Sequence, residues 1–172
     1  MSFRMRPYDP ATDRNLVLGW LIEAVAIGID GPVDASHQEQ HYFPELNRTQ
    51  ARDPRFVSMA LSGGRPVGLV DAFPMPPNPG KAFMRFLYVL PELRGAGIAD
   101  RLVTYSDGLL GGMGCREILL DVREGNARAV AFYRRHGWGV RNQREGGFLR
   151  MRREIPVKAR RPASADRQDR KT

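Results

Sequence analysis

The sequence predicts a single α/β domain, a mixed and mostly antiparallel sheet with helices on both faces. Three observations predict it. Two pairs of extended runs are each joined by a glycine turn, Ser62-Gly63-Gly64-Arg65 and Glu145-Gly146-Gly147, which marks antiparallel hairpins. One strand–helix–strand crossover between them supplies a parallel neighbour. At 172 residues, 42% apolar and 27% charged, the chain has the size and composition of one domain with a buried core.

Each element follows in order. Phe3 to Pro7 reads as a first strand, closed by Pro7, Asp9 and Pro10. Asp13 can cap a helix over 15–26, where Leu16, Trp20, Glu23 and Ile27 keep helical spacing. From Gly28 to Asp53 the chain is polar and irregular, with one short helix expected around 35–41. Two extended runs follow, 55–61 and 66–73. The stretch from Pro74 to Gly80 carries four prolines, which remove donors and fix φ, so it is neither helix nor central strand. A strand is expected over 82–90, ended by Pro91. A helix is expected over 95–110, with Ile98, Leu102, Tyr105 and Leu109 as its stripe and glycines after it. Ile118 to Val122 is a short apolar strand, and 126–136 is helical with Gly137 closing it. The runs 138–142 and 148–155 form the closing hairpin. From Pro156 onward the composition is polar and charged, which predicts a basic, disordered tail.

Composition excludes several function classes. No apolar run is long enough to span a membrane, and the N-terminus lacks the apolar stretch of a secretory signal, so a cytoplasmic protein is expected. One cysteine, Cys115, leaves no internal disulfide and makes a thiolate metal cluster implausible; it reads as a buried, inert thiol. The net charge of +8 suggests nucleic acid, but half of it lies in the tail after 155, which argues against that partner for the domain. His37 and His41 share a helical face at a metal-competent spacing. The glutamate is misplaced for His-Glu-x-x-His and a third ligand is missing, so no metal is expected.

The chemistry is concentrated in Leu87-Tyr-Val-Leu-Pro-Glu-Leu-Arg94-Gly95-Ala96-Gly97-Ile98-Ala99. A strand enters a turn of small residues and a helix starts at once. Unpaired N–H groups at a helix start can hold a phosphate oxygen, and small residues let a ligand approach the backbone. Arg94 adds positive charge beside them. A P-loop needs Gly-Lys-Ser/Thr, which Ile98-Ala99-Asp100 does not offer, and a dinucleotide fingerprint needs glycine where Asp100 stands.

Arg94-x-x-Gly97-x-Ala99 resembles the acetyl-CoA-binding motif of the GNAT superfamily of N-acetyltransferases. The segment from Asn126 through Tyr133 to Gly137-Trp138 resembles that family's next motif, and the element order resembles its fold over residues 1–155. The resemblance implies acetyl transfer from acetyl-CoA to a primary amine by direct attack on the thioester. It implies cofactor contacts from Leu87, Val89, Arg94, Gly95, Ala96, Gly97, Ile98, Ala99, Asn126 and Tyr133. It implies that the backbone N–H near Val89 stabilises the oxyanion and that Tyr133 protonates the departing thiolate. Asn126 and Tyr133 stand two helical turns apart and so share one face; Asn126 also suits a plain helix N-cap. The acceptor is a small-molecule or peptide amine, with pocket walls expected from 20–43 and 72–81. A homodimer stays open. The family often places a glutamate on the central strand as general base, but 82–90 contains no acid; Asp71 or water is the expected substitute. That gap keeps open an alternative, a GNAT-like module that binds CoA without turnover.

Overall fold

Apolar side chains from the strands fill both faces of the sheet, and each face meets a pair of helices. The computed structural model describes residues 2–27 and 33–156. The elements are β1 (Phe3–Pro7), α1 (Arg14–Ala26), α2 (Ala35–Arg52), β2 (Val57–Ser62), β3 (Arg65–Pro74), β4 (Lys81–Val89), α3 (Ile98–Gly112), β5 (Glu117–Arg123), α4 (Ala127–Arg135), β6 (Gly139–Arg144) and β7 (Phe148–Glu154). Short 3-10 turns at Pro54–Phe56 and Pro91–Leu93 lead into β2 and out of β4. The strands lie in the order β1-β2-β3-β4-β5-β7-β6, and every neighbouring pair is antiparallel except β4 with β5.

One face of the sheet buries Val67, Met84, Ile118, Leu120 and Met151 against Leu102 and Leu110 of α3 and Val130 of α4. The other buries Val57, Met59, Leu69 and Tyr88 against Val17 and Leu21 of α1 and Phe43 and Leu46 of α2. The predicted architecture is therefore the observed one. The Gly63-Gly64 turn between β2 and β3 has φ of 58° and 85° at its two residues, the left-handed region that suits glycine.

Two elements differ from expectation. The short helix expected at 35–41 runs on to Arg52, straight through Pro44. Phe43, Leu46 and Thr49 form a fully buried stripe, and their packing outweighs the roughly 3 kcal/mol that an interior proline costs a helix. Asp13 stands at the N-cap of α1 but makes no cap bond. Its buried carboxylate accepts instead from Arg6 at 2.6 and 2.7 Å and from the Asp9 N–H at 2.9 Å.

The functionally important irregularity is the contact of β4 with β5. Pairing runs from Lys81–Glu117 to Met84–Leu120 and then stops. On the other side of β4 the register with β3 shifts between Asp71 and Ala72, which pair with Phe86 and Met84, so Arg85 is an extra residue. Such a bulge bends its strand, and beyond it, among the described residues, β4 pairs with β3 alone. Among the described residues no helix is long and apolar enough to cross a membrane. The predicted tail lies outside the described residues, apart from Pro156.

Candidate functional site

The parting of β4 from β5 opens a cleft of about 530 Å³ between the end of β4, the start of α3 and one side of α4. The Leu90 N–H donates to Val67 O on β3 at 3.0 Å. Strand alternation then turns the backbone groups of Val89 and Leu87 the other way, into the gap. Leu87 and Val89 line the cleft there.

The far end of the cleft is the turn into α3. Gly95 and Gly97 have φ of 93° and 77°, a conformation that an L side chain resists, and Gly97 is the residue from which α3 starts. Among the described residues the N–H groups of Gly95, Gly97, Ile98, Ala99 and Asp100 have no acceptor; the first helical bond at this end is Arg101 N–H to Gly97 O at 3.2 Å. Ala96 departs from the expected set: its N–H is already taken by Leu93 O at 3.2 Å, and its side chain lies outside the cleft. Ile98 does not line the cleft either, since its side chain belongs to the core, but its N–H is unpaired among the described residues.

Arg94 lines the cleft but is not a free cation. Its Nε donates to Val89 O at 2.9 Å and its Nη2 to Glu23 Oε1 at 2.6 Å. Glu23 on α1 also accepts from the Tyr88 hydroxyl at 2.6 Å, and Tyr88 stacks on Trp20 at 4.9 Å. Burial, and then the bond to Glu23, push the Tyr88 phenol above its ordinary range. This Glu23 node was invisible in the sequence, since 71 residues separate it from Arg94.

Tyr133 reaches the cleft from α4. It is 9% exposed, packs edge-on against Trp138, and its hydroxyl makes no hydrogen bond within the described protein. Burial alone pushes its phenol above the ordinary value, so it holds its proton through neutral pH. Asn126 does both things its sequence position allows: Oδ1 caps α4 by accepting from the Ala129 N–H at 3.1 Å, and the residue lines the cleft.

Asp71 is not part of this cleft. It is fully buried on β3, where its Oδ2 accepts from Arg85 Nε at 2.7 Å and from the Tyr42 hydroxyl at 3.1 Å, while Oδ1 has no partner. Asp71, the acid expected as a possible base, is therefore sealed off from the cleft. Burial lifts its carboxyl to about 6 despite Arg85. Of the expected pocket walls, Ala24 and Ile27 line the cleft, Trp20 and Phe43 are core, and residues 28–32 lie outside the described residues. Cys115 is buried, which raises its thiol pKa. His37 and His41 are exposed, with ring centroids 4.4 Å apart.

Fold and cleft together define a class: one-crossover α/β proteins with a split parallel strand pair and, among the described residues, unpaired amides at the helix start beside it. The model of the acetyltransferase (GNAT) family matches residues 26–138, and the chain belongs to that family. A search of curated proteins found no match. Among solved structures, the chain is similar to the PaiA N-acetyltransferase from Thermoplasma acidophilum in complex with coenzyme A, with 19% identity, TM-score 0.75, and 90% of this chain and 99% of that one covered. It is also similar to Ard1 from Thermoplasma volcanium, with 15% identity, TM-score 0.68, and coverage of 91% and 99%. Arabidopsis thaliana Naa50 in complex with the bisubstrate analogue CoA-Ac-MVNAL gives 17% identity, TM-score 0.63, and coverage of 89% and 99%.

Proposed function

We propose that the protein is a cytoplasmic N-acetyltransferase that moves an acetyl group from acetyl-CoA to the primary amine of a small molecule or peptide. One observation carries the reading. The gap between β4 and β5 runs from unpaired amides at the start of α3 to an unpartnered, protonated phenol at Tyr133. Those residues fit an extended ligand that is anionic at one end and reactive at the other.

Acetyl-CoA supplies the acyl group as an activated thioester. The free N–H groups of Gly97, Ile98, Ala99 and Asp100 would hold its diphosphate, with the positive end of α3 behind them. The N–H groups of Leu87 and Val89 would bond the amide-bearing arm as a neighbouring strand does. The Val89 N–H would receive negative charge as it develops on the carbonyl oxygen. Arg94 holds Val89 O and so fixes that stretch of backbone. Tyr133 keeps its proton until the sulfur leaves, then donates it. The amine attacks directly and gives up its proton to water, since Cys115 is buried and lines no part of the cleft and β4 carries no acid.

The test is thiol release from acetyl-CoA across a panel of amines, run beside a thermal melt with CoA. Acceptor-dependent thiol release is the expected result. A second reading, a module that binds CoA without turnover, is favoured by one feature: β4 carries no acid and Asp71 is sealed away from the cleft. CoA raising the melting temperature while every amine stays inert would establish that reading instead.

A further inference from the structure

His136 at the C-terminal end of α4 and Asp100 in the first turn of α3 face each other across the phosphate end of the cleft. His136 Nε2 lies 2.5 Å from Asp100 Oδ1, and its Nδ1 lies 2.8 Å from Phe132 O. A carboxylate and a carbonyl are both acceptors, so the two bonds form together only when each ring nitrogen carries a proton. The contact is then an imidazolium–carboxylate pair. Its ring is held against Phe132 at 4.2 Å. Each charge also suits its own helix end, the anion at a start and the cation at a finish.

The position of Asp100 conflicts with anion binding. Its Oδ2 lies 3.9 Å from where a β-carbon on Gly97 would stand, so the carboxylate overhangs the turn whose amides form the cradle. A diphosphate seated on those amides and this carboxylate repel each other. Of the other cations lining the cleft, Arg94 is engaged by Glu23 and Val89, and Arg128 and Arg135 are exposed. Among the described residues lining the cleft, His136 is thus the partly buried basic side chain whose partner is the competing anion itself.

We propose that His136 and Asp100 form a charge-exchange clasp that selects the donor. The Nε2–H of His136 bonds Asp100 in one arrangement and a phosphate oxygen of the donor in the other. This rests on the acetyl-CoA reading above. A ligand rich in phosphate charge draws His136 across and overcomes Asp100, whereas one lacking phosphate gains nothing from either residue. Asp100 and His136 thereby set how sharply the cleft prefers phosphorylated donors to the bare pantetheine arm.

The experiment measures Kd for CoA and for pantetheine, which has no phosphate, from the amide chemical shifts of Leu87 and Val89. It uses the parent chain, Asp100→Asn, His136→Gln and the double variant. The clasp predicts CoA binding tightened roughly threefold to tenfold in Asp100→Asn and weakened roughly tenfold in His136→Gln, with non-additive effects in the double variant. Pantetheine affinity stays constant in all four. Asp100→Asn that binds CoA no more tightly than the parent overturns the clasp, and so do equal shifts for CoA and pantetheine. A parent chain that binds no CoA overturns the acetyl-CoA reading as well, so the two failures are told apart.

Discussion

Gly97→Val isolates the backbone role on which donor binding depends. At φ 77° a β-carbon on Gly97 meets nothing nearer than Asp100 Oδ2 at 3.9 Å, so space is available and conformation is the obstacle. An L residue there costs about 1–2 kcal/mol, and a β-branched one more. Valine relieves this strain by taking φ negative, which turns the N–H groups of Gly97, Ile98 and Ala99 off the cradle. Hydrogen bonds to a charged acceptor contribute about 1.5–3 kcal/mol each, so losing two raises the Kd for CoA by at least about a hundredfold. Helix α3 itself stays anchored by the buried Leu102, Val103 and Leu110. The stability loss is then about 1–2 kcal/mol, a fall in Tm of roughly 2–8 °C for a chain of this size. The assay is calorimetric titration with CoA beside a thermal melt. Unchanged CoA affinity refutes the phosphate assignment, and loss of the cooperative melt refutes the claim that the turn serves binding rather than folding.

Three further outcomes are expected. Tyr133→Phe lowers turnover roughly 100-fold, within the range for a general acid, and leaves CoA affinity unchanged; equal rates in a steady-state assay mean that another group protonates the sulfur. Gly68→Ala puts a β-carbon 2.5 Å from Tyr88 O and 3.3 Å from Leu102 Cδ1, forcing β3 from β4 at a cost of about 1–3 kcal/mol. Because Gly68 pairs with Val89, turnover falls with stability, a pairing that urea melts and kinetics check together. Asp71 has a folded pKa of about 6, raised chiefly by burial from an ordinary 3.8. A raised pKa means that its contribution is fully present below the unfolded value and is lost as pH climbs through the folded one. The stability of the parent relative to Asp71→Asn therefore drops by about 2 kcal/mol between pH 4 and 7.5, measured by urea unfolding at each pH. A gap independent of pH removes burial as the cause.

What the sequence disclosed and what it concealed divide by the range of the interaction. The hairpins, the crossover and the glycine turn into α3 were legible because each depends on neighbours within a few residues: Gly63, Gly64, Gly95 and Gly97 each need positive φ locally. The length of α2 was hidden because Pro44 is a local stop signal, whereas the packing of Phe43 and Leu46 that overrides it comes from the sheet. Tyr133 and Asn126 could be matched as a pair since both sit on one short helix segment. Glu23 could not be found, because its role comes from partners on β4 and in the turn after it. Asp71 was misjudged for the same reason: Tyr42 and Arg85 enclose it from α2 and β4.

The abandoned ladder between β4 and β5 also has a mechanical side. Among the described residues the two halves of the sheet are joined by no strand-to-strand bonds beyond Met84 and Leu120, so β1–β4 and β5–β7 resemble two boards nailed at one end. Whatever lies along the gap serves as the missing lath and ties the boards together. Loading the cleft should therefore slow hydrogen exchange at Asp121 and Val122 on the far board as well as at Leu87 and Val89 on the near one, turning a chemical event into stiffness across the whole sheet.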